Sequence, residues 1–274
     1  MSTNPVAVIE KRTPVRSTAW LSGFLLLGLL LGLLGSLLIG WQYHIDVEPR
    51  LIGLHFLALN AGYVIAATVA QRYVRRVSLR KVALISCAAA CLSLVALALA
   101  APPAAVWWRI ADLGMVGASA GGLATGLLYV SEPYFAASRA AAVNLAGALF
   151  GCGCLVATLV TGATYFAGSV QMETGLLAAF PLVYFAIYLR NRYSPALSPT
   201  HAPKEDAMRE MLKDLRSIAT ILFSLLLFIQ FGNEWVLAGW LPLLLIHRLG
   251  VNPVWAIGGL AWYFLALMVG RLIA

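Results

Sequence analysis

Charged residues are scarce in this chain. Lys, Arg, Asp and Glu together make up 11% of 274 residues, against about 25% in an ordinary soluble domain. Acidic residues are the scarcest, 11 against 19 basic ones. So few charges cannot cover the surface of a soluble fold of this length. Cysteine is rarer still: Cys87 and Cys91, then Cys152 and Cys154, each pair inside an apolar run. Neither pair has His or carboxylate neighbours at metal-ligand spacing, so the four read as small packing residues and no metal or other cofactor is expected. No nucleophile with a base, and no paired carboxylates, fall on a connecting loop. That pattern argues against an enzyme.

What the chain has in abundance is apolar sequence, 61% of the total. It falls into eight runs of membrane-spanning length, at roughly 18–41, 50–72, 80–101, 105–131, 139–168, 174–190, 217–246 and 252–273. Runs of this length and number specify an all-α, polytopic helical membrane protein. The first is too long for a cleaved signal and lacks a small-residue cleavage site, so it reads as a retained span.

The net charge of +8 follows this topology rather than forming a patch for nucleic acid. Lys11, Arg12, Arg16, Arg72, Arg75, Arg76, Arg80, Lys81, Arg139, Arg190, Arg192, Lys204, Arg209, Lys213 and Arg216 fall on one side of the alternating spans, and Arg50 and Arg248 on the other. The expectation is a multi-pass protein of the plasma membrane, the inner membrane of a bacterium, with both termini cytoplasmic.

The spans divide unevenly. A tail, 1–17, precedes a six-helix bundle, 18–190. A linker, 191–216, follows, with prolines at 195, 199 and 203 and then Met208, Met211, Leu212 and Leu215 along one face of an amphipathic segment. Residues 217–274 supply two spans of a second bundle. A weak echo supports a repeat: Gly40-Trp41 closes the first run much as Gly239-Trp240 interrupts the seventh.

Polar residues inside such spans are candidates for function, because an ionisable group at mid-depth costs about 3 kcal/mol or more. In the seventh span Gln230, Asn233 and Glu234 share one helical face. Glu234 has no basic residue near it on its own span, and a carboxylate taken out of water favours proton uptake; a structural Glu bonded to another helix is the alternative. The fifth span carries Asn144, Gly147, Gly151, Cys154, Thr158, Gly162 and Tyr165 on one stripe, where small residues admit a neighbouring helix and polar ones bond across it. The fourth opens with Arg109 and Asp112, three apart, followed by Gly114, Gly117, Gly121 and Gly122. That pair either neutralises itself or faces a cavity. Between the first two spans, Trp41, Gln42, Tyr43 and His44 form either an interfacial belt or the vestibule of a site. His55 and Asn60 could line the same lumen.

These features resemble the major facilitator superfamily, whose members are built from six-helix halves around a central cavity. The basic loop from Ala67 through Arg72, Arg75 and Arg76 to Arg80-Lys81 resembles its loop motif, with Ala67, Gln71 and Val74 at that motif's Gly and Asp positions. Arg109 with Gly114 and Gly117 resembles the arginine-plus-glycine motif of its fourth helix, and Gly270-Arg271 also fits its pattern. Asn144-Leu145-Ala146, Gly232-Asn233-Glu234 and Gly239-Trp240-Leu241-Pro242 are similar to fucose permease-like sugar:proton symporters, although Ala124 and Leu128 stand where those carry an acidic residue and an asparagine.

The resemblance implies a secondary transporter moving a small solute by alternating access, with proton-coupled sugar uptake as the leading expectation. Substrate contacts are then expected from Trp41, Gln42, Asn60, Asn144, Gln230, Asn233 and Trp240, proton coupling from Asp112, Glu234 and Arg109, and gating from Arg72, Arg75, Arg76, Arg80 and Lys81. The chain stops just after Gly270-Arg271, before the spans that complete most members. Missing C-terminal spans or a second subunit would then finish the cavity. The alternatives are efflux of an aromatic or amphipathic compound, or a truncated, transport-inactive bundle.

Overall fold

The computed structural model describes residues 20–46, 48–74, 77–102, 104–137, 139–165, 167, 170–190 and 217–273. The tail, Arg75, Arg76 and the segment 191–216 with its amphipathic stretch lie outside them. Eight long helices carry the fold: α1 Gly23–Gly40, α2 Pro49–Tyr73, α3 Leu79–Leu99, α4 Val106–Ala137, α5 Arg139–Tyr165, α6 Val170–Arg190, α7 Ile218–Leu249 and α8 Pro253–Ile273. All eight are long and apolar enough to cross a membrane, and the described residues contain no strand.

Boundaries differ from expectation by a few residues, and three of them bear on the fold. Helix α4 runs through Pro133 to Ala137. Helix α7 continues to Leu249 and stops at Gly250, whose φ of 63° closes the last turn by donating to Ile246 O, the left-handed end for which glycine is suited. Helix α6 begins at Val170, four residues earlier than hydropathy indicated, so that Glu173 lies within its first turn.

Helix α1 is the hub. It is apolar all round, and 89% of its best spanning window is buried, the expected fate of a helix without a polar face. It contacts α4, α5, α6, α7 and α8. Its seam with α5 and α6 repeats every four residues. A Cβ on Gly28 would overlap the Phe150 carbonyl, one on Gly32 would lie 2.6 Å from Cys154 Sγ, and one on Gly40 would lie 2.8 Å from Glu173 Oε2. Ser36 fills the remaining position and meets Thr161 at 2.9 Å. Gly153 on α5 answers by passing against the Leu25 carbonyl. Such spacing lets backbones approach where lipid offers no hydrophobic force between helices.

The same device joins α2 to α4, where Gly117 meets Leu59 and Gly121 meets Tyr63. Helix α3 is tied to α6 differently. Arg80 Nε donates to Tyr188 O at 3.0 Å, and Nη2 donates to Leu189 O, so the guanidinium caps carbonyls that end α6.

Helix α7 packs onto this bundle at few points, whereas α8 lies along much of α5. Gly35 of α1 passes against the Ala238 carbonyl of α7, and Gly239 admits the Phe56 ring of α2. Trp240 stacks on that ring at 6.1 Å. Helix α8 lies against α5, with Gly151 facing Met268 and Gly162 facing Ile257. Only 6% of the α7 spanning window is buried; Phe223, Leu226, Phe228 and Val236 are among its exposed residues.

Candidate functional site

Where α1, α2, α5, α7 and α8 converge they line an open-sided cavity of about 520 Å³. Its wall is chiefly apolar and aromatic, with Phe24, Leu31, Phe150, Phe231, Trp235 and Phe264. Asn60, Tyr63, Tyr263, Glu234 and Arg271 supply the polar groups. A concave apolar chamber with a few converging polar tips is the usual form of a small-molecule site.

The charge centre of the chamber is an ion pair between α7 and α8. Arg271 Nη2 donates to Glu234 Oε2 at 2.9 Å and to Oε1 at 3.1 Å. The two side chains remain 27% and 19% exposed, so both charges stay accessible from the cavity. Gln230, one turn earlier on α7, donates from Nε2 to Glu234 Oε1 at 3.3 Å. Tyr263 Oη lies 3.5 Å from the Glu234 carbonyl. Room for the guanidinium comes from α5, because a Cβ on Gly147 would sit 2.6 Å from Arg271 Nη1. The α5 stripe is therefore shared: Gly147, Gly151 and Gly162 serve α8, while Cys154, whose Sγ donates to Gly28 O at 3.2 Å, serves α1.

Of the residues named from sequence, Asn60 and Glu234 line this chamber, and Asn60 turns its amide to its own helix, donating to Phe56 O at 2.8 Å. Asn144 is half-buried beside lining residues Val143, Ala146 and Gly147 without lining the cavity itself. Asn233 and Gln230 are exposed on α7, and Trp240 is held by Phe56. Gln42 is exposed at the end of α1 with φ 60°, a turn residue outside the chamber. Arg72 and Lys81 are exposed, whereas Arg80 is engaged by α6.

Trp41 and Arg109 form a second cluster. Arg109 is 3% exposed, with its guanidinium carbon 5.5 Å from the Trp41 ring and 5.7 Å from the Tyr43 ring. Its Nη1 donates to Ala100 O at 3.4 Å, and its Nε has no partner among the described residues. His55 completes the cluster, with Nδ1 2.7 Å from Leu51 O and Nε2 3.3 Å from Tyr43 Oη. A carbonyl only accepts, so Nδ1 carries the hydrogen, and in the neutral ring Nε2 accepts from Tyr43. Arg109 and Asp112 do not pair. The rings hold the cation instead, which a desolvated guanidinium makes favourable by about 2 kcal/mol, and Asp112 is left half-buried on its own face of α4.

Sequence reasoning missed Arg271 as a site residue. The sign available was its adjacency to Gly270 in a pattern already noted, but its partnership with Glu234, 37 residues away, depends on how α8 crosses α7. Trp235, Tyr63 and Tyr263 were missed because one more aromatic residue in a span gives no contrast. Among the described residues no cluster of metal ligands occurs.

A family model described as the Major Facilitator Superfamily matches residues 19–274, nearly the whole chain. No curated protein matches the chain. The chain belongs to the Major Facilitator Superfamily and is a multi-pass membrane transporter.

Proposed function

We propose that this member of the Major Facilitator Superfamily is a proton-coupled symporter for a small solute with a flat apolar face and a hydrogen-bonding edge, a class that includes sugars. The observation that carries this reading is the Glu234–Arg271 pair on the wall of an otherwise apolar, aromatic chamber. Ring faces such as Phe231 and Trp235 suit the flat side of such a solute, and Asn60 and Tyr263 suit its edge. In this reading a proton taken up by Glu234 cancels the ion pair and frees the Arg271 guanidinium for acceptor oxygens of the solute. Solute and proton then enter together. Alternating access follows as α7 and α8 rock against α1–α6 about the Gly35–Ala238 crossing, with the Arg80 end of the bundle facing the cytoplasm. The likeness of Gly232-Asn233-Glu234 and Asn144-Leu145-Ala146 to fucose permease-like symporters supports the solute class.

The test is uptake into vesicles holding the purified chain, with and without an inward proton gradient. Glu234→Gln should abolish gradient-driven accumulation while retaining exchange of labelled for unlabelled solute. Unchanged accumulation in that variant would sink the role of Glu234.

A second reading, efflux of an aromatic or amphipathic compound, is favoured by the mostly apolar wall and by Ala124 and Leu128 on α4. Loading such a compound inside the vesicles separates the two, since only an exporter in this orientation empties them faster under the same gradient.

A further inference from the structure

Glu173 lies in the first turn of α6, away from the Glu234–Arg271 pair, and is 2% exposed. Its Oε1 is 2.6 Å from Thr161 Oγ1 on α5, which is in turn 2.9 Å from Ser36 Oγ on α1. Both hydroxyls are fully buried. Its other oxygen faces Gly40, where a side chain would not fit. We propose that Glu173, Thr161 and Ser36 form a second proton-binding site, in which the carboxyl is held as a neutral acid in the conformation described.

The first argument is the count of hydrogens. Ser36 Oγ lies 3.0 Å from Leu33 O and Thr161 Oγ1 lies 3.1 Å from Ala157 O, and carbonyls only accept. With an ionised Glu173 the cluster holds two hydrogens, one from each hydroxyl. Thr161 must then spend its single hydrogen on the carboxylate, and Ser36 must choose between Thr161 and Leu33 O. A protonated carboxyl adds the missing hydrogen. Glu173 donates to Thr161, Thr161 to Ser36, and Ser36 to Leu33 O, so that each link of the row has one donor and one acceptor.

The second argument is the absence of a counter-charge. No cation lies within ion-pair distance of Glu173 among the described residues. The helices packed against α6 are α1, α3 and α5. Helix α1 has no ionisable side chain. Helix α3 brings Cys87 and Cys91 at mid-span and Arg80 and Lys81 at its start, where Arg80 caps the opposite end of α6. Helix α5 brings Arg139 at its start, Cys152 and Cys154, and Tyr165 one turn beyond Thr161. On α6 itself Tyr184, Tyr188 and Arg190 belong to the far end. Arg109 is turned to Trp41 and Tyr43. The first turn of a helix does favour an anion, yet among the described residues no backbone N–H donates to either oxygen. A buried carboxylate with one donor and no cation is the costlier form.

The site is wired to the transport chamber by α1. Gly32 and Cys154 line the cavity; Ser36 lies one turn beyond Gly32, and Thr161 two turns beyond Cys154. Proton release needs water to enter the seam: the Oε1–H bond then breaks, the proton passes to that water, and the Thr161 hydrogen swings from Ser36 to Oε1. The new anion sits against Gly40 and needs water, which the closed α1–α6 seam excludes. Loss of the proton therefore opens the seam that shapes one wall of the chamber. The link to transport rests on the proton-coupled reading above, whereas the proton site does not.

Infrared difference spectra of the full chain in lipid vesicles, recorded between mildly acid and alkaline pH, test the site directly. A protonated-carboxyl C=O band should be present at neutral pH, be lost in Glu173→Gln, persist in Glu234→Gln and shift in frequency in Thr161→Val. A band untouched by Glu173→Gln would overturn the proposal. If Glu173→Gln does not fold, Thr161→Val decides, since an unshifted band excludes the row of hydrogen bonds. The band with its Thr161 shift, in vesicles where uptake ignores the proton gradient, would uphold the site while the symport reading fails.

Discussion

Helices α1 and α7 look alike as sequence and differ in almost everything else. Each is an apolar run long enough to cross a bilayer, each leads a group of spans, and each carries a Gly-Trp pair, at the end of α1 and inside α7. Yet 89% of one spanning window is buried and 6% of the other. The difference lies in the spacing of small residues. Helix α1 has Gly28, Gly32, Ser36 and Gly40 at one-turn intervals, and a neighbour follows each of them. Helix α7 meets the bundle over one stretch, from the cavity-lining Phe231, Glu234 and Trp235 through Ala238 and Gly239 to the buried Leu243, and presents most of the rest of its length outward. Hydropathy reports that a helix crosses a membrane; small-residue periodicity reports how much of it other helices cover.

The largest effect should come from blocking the α1 seam. Gly28→Leu places a side chain where the Phe150 backbone already lies, and overpacking of this kind costs about 3 kcal/mol or more. The variant should lose its monodisperse elution and its thermal transition in detergent. Gly232→Leu on α7 meets nothing within 4 Å and should leave both unchanged; equal damage from the two would break the contrast. A smaller effect is expected from the α7–α8 charges. Glu234→Ala strands Arg271 in the chamber and should lower stability by about 2 kcal/mol, below the range for a fully buried pair. The combination of Glu234→Gln with Arg271→Gln should recover most of what either costs alone, and a double-mutant cycle measures the coupling. The smallest change belongs to Trp240→Leu, which removes the stack on Phe56. About 1 kcal/mol is expected, visible as faster amide exchange in α7 with α1 still protected.

The fold class and all eight spans could be read from hydropathy, because length and apolarity are what a bilayer selects. Glu173 escaped notice because it interrupts the hydropathy at the start of α6, which moved the apparent boundary past it. The α1 seam escaped because a helix apolar on every side offers no contrast to read. Glu234 stood out for the opposite reason, a charge in an apolar run, but its counter-ion required the crossing of α7 and α8. Asn144 and Asn233 show the remaining gap. A shared face can be deduced from spacing, while what the face meets is decided by partners far away in the chain. Arg109 and Asp112 have the spacing of an ion pair, and the nearby Trp41 and Tyr43 rings take the cation instead.

The α1 seam also sets a schedule for biosynthesis. Cys154, which closes on Gly28, is made 126 residues later, and at ordinary rates of translation that interval is on the order of ten seconds. Throughout it the Gly28 face of α1 has lipid for its neighbour. A helix that ends with 89% of its spanning window buried must first survive with this face in lipid, and its freedom from any ionisable residue lets it wait in the bilayer for the chain to catch up.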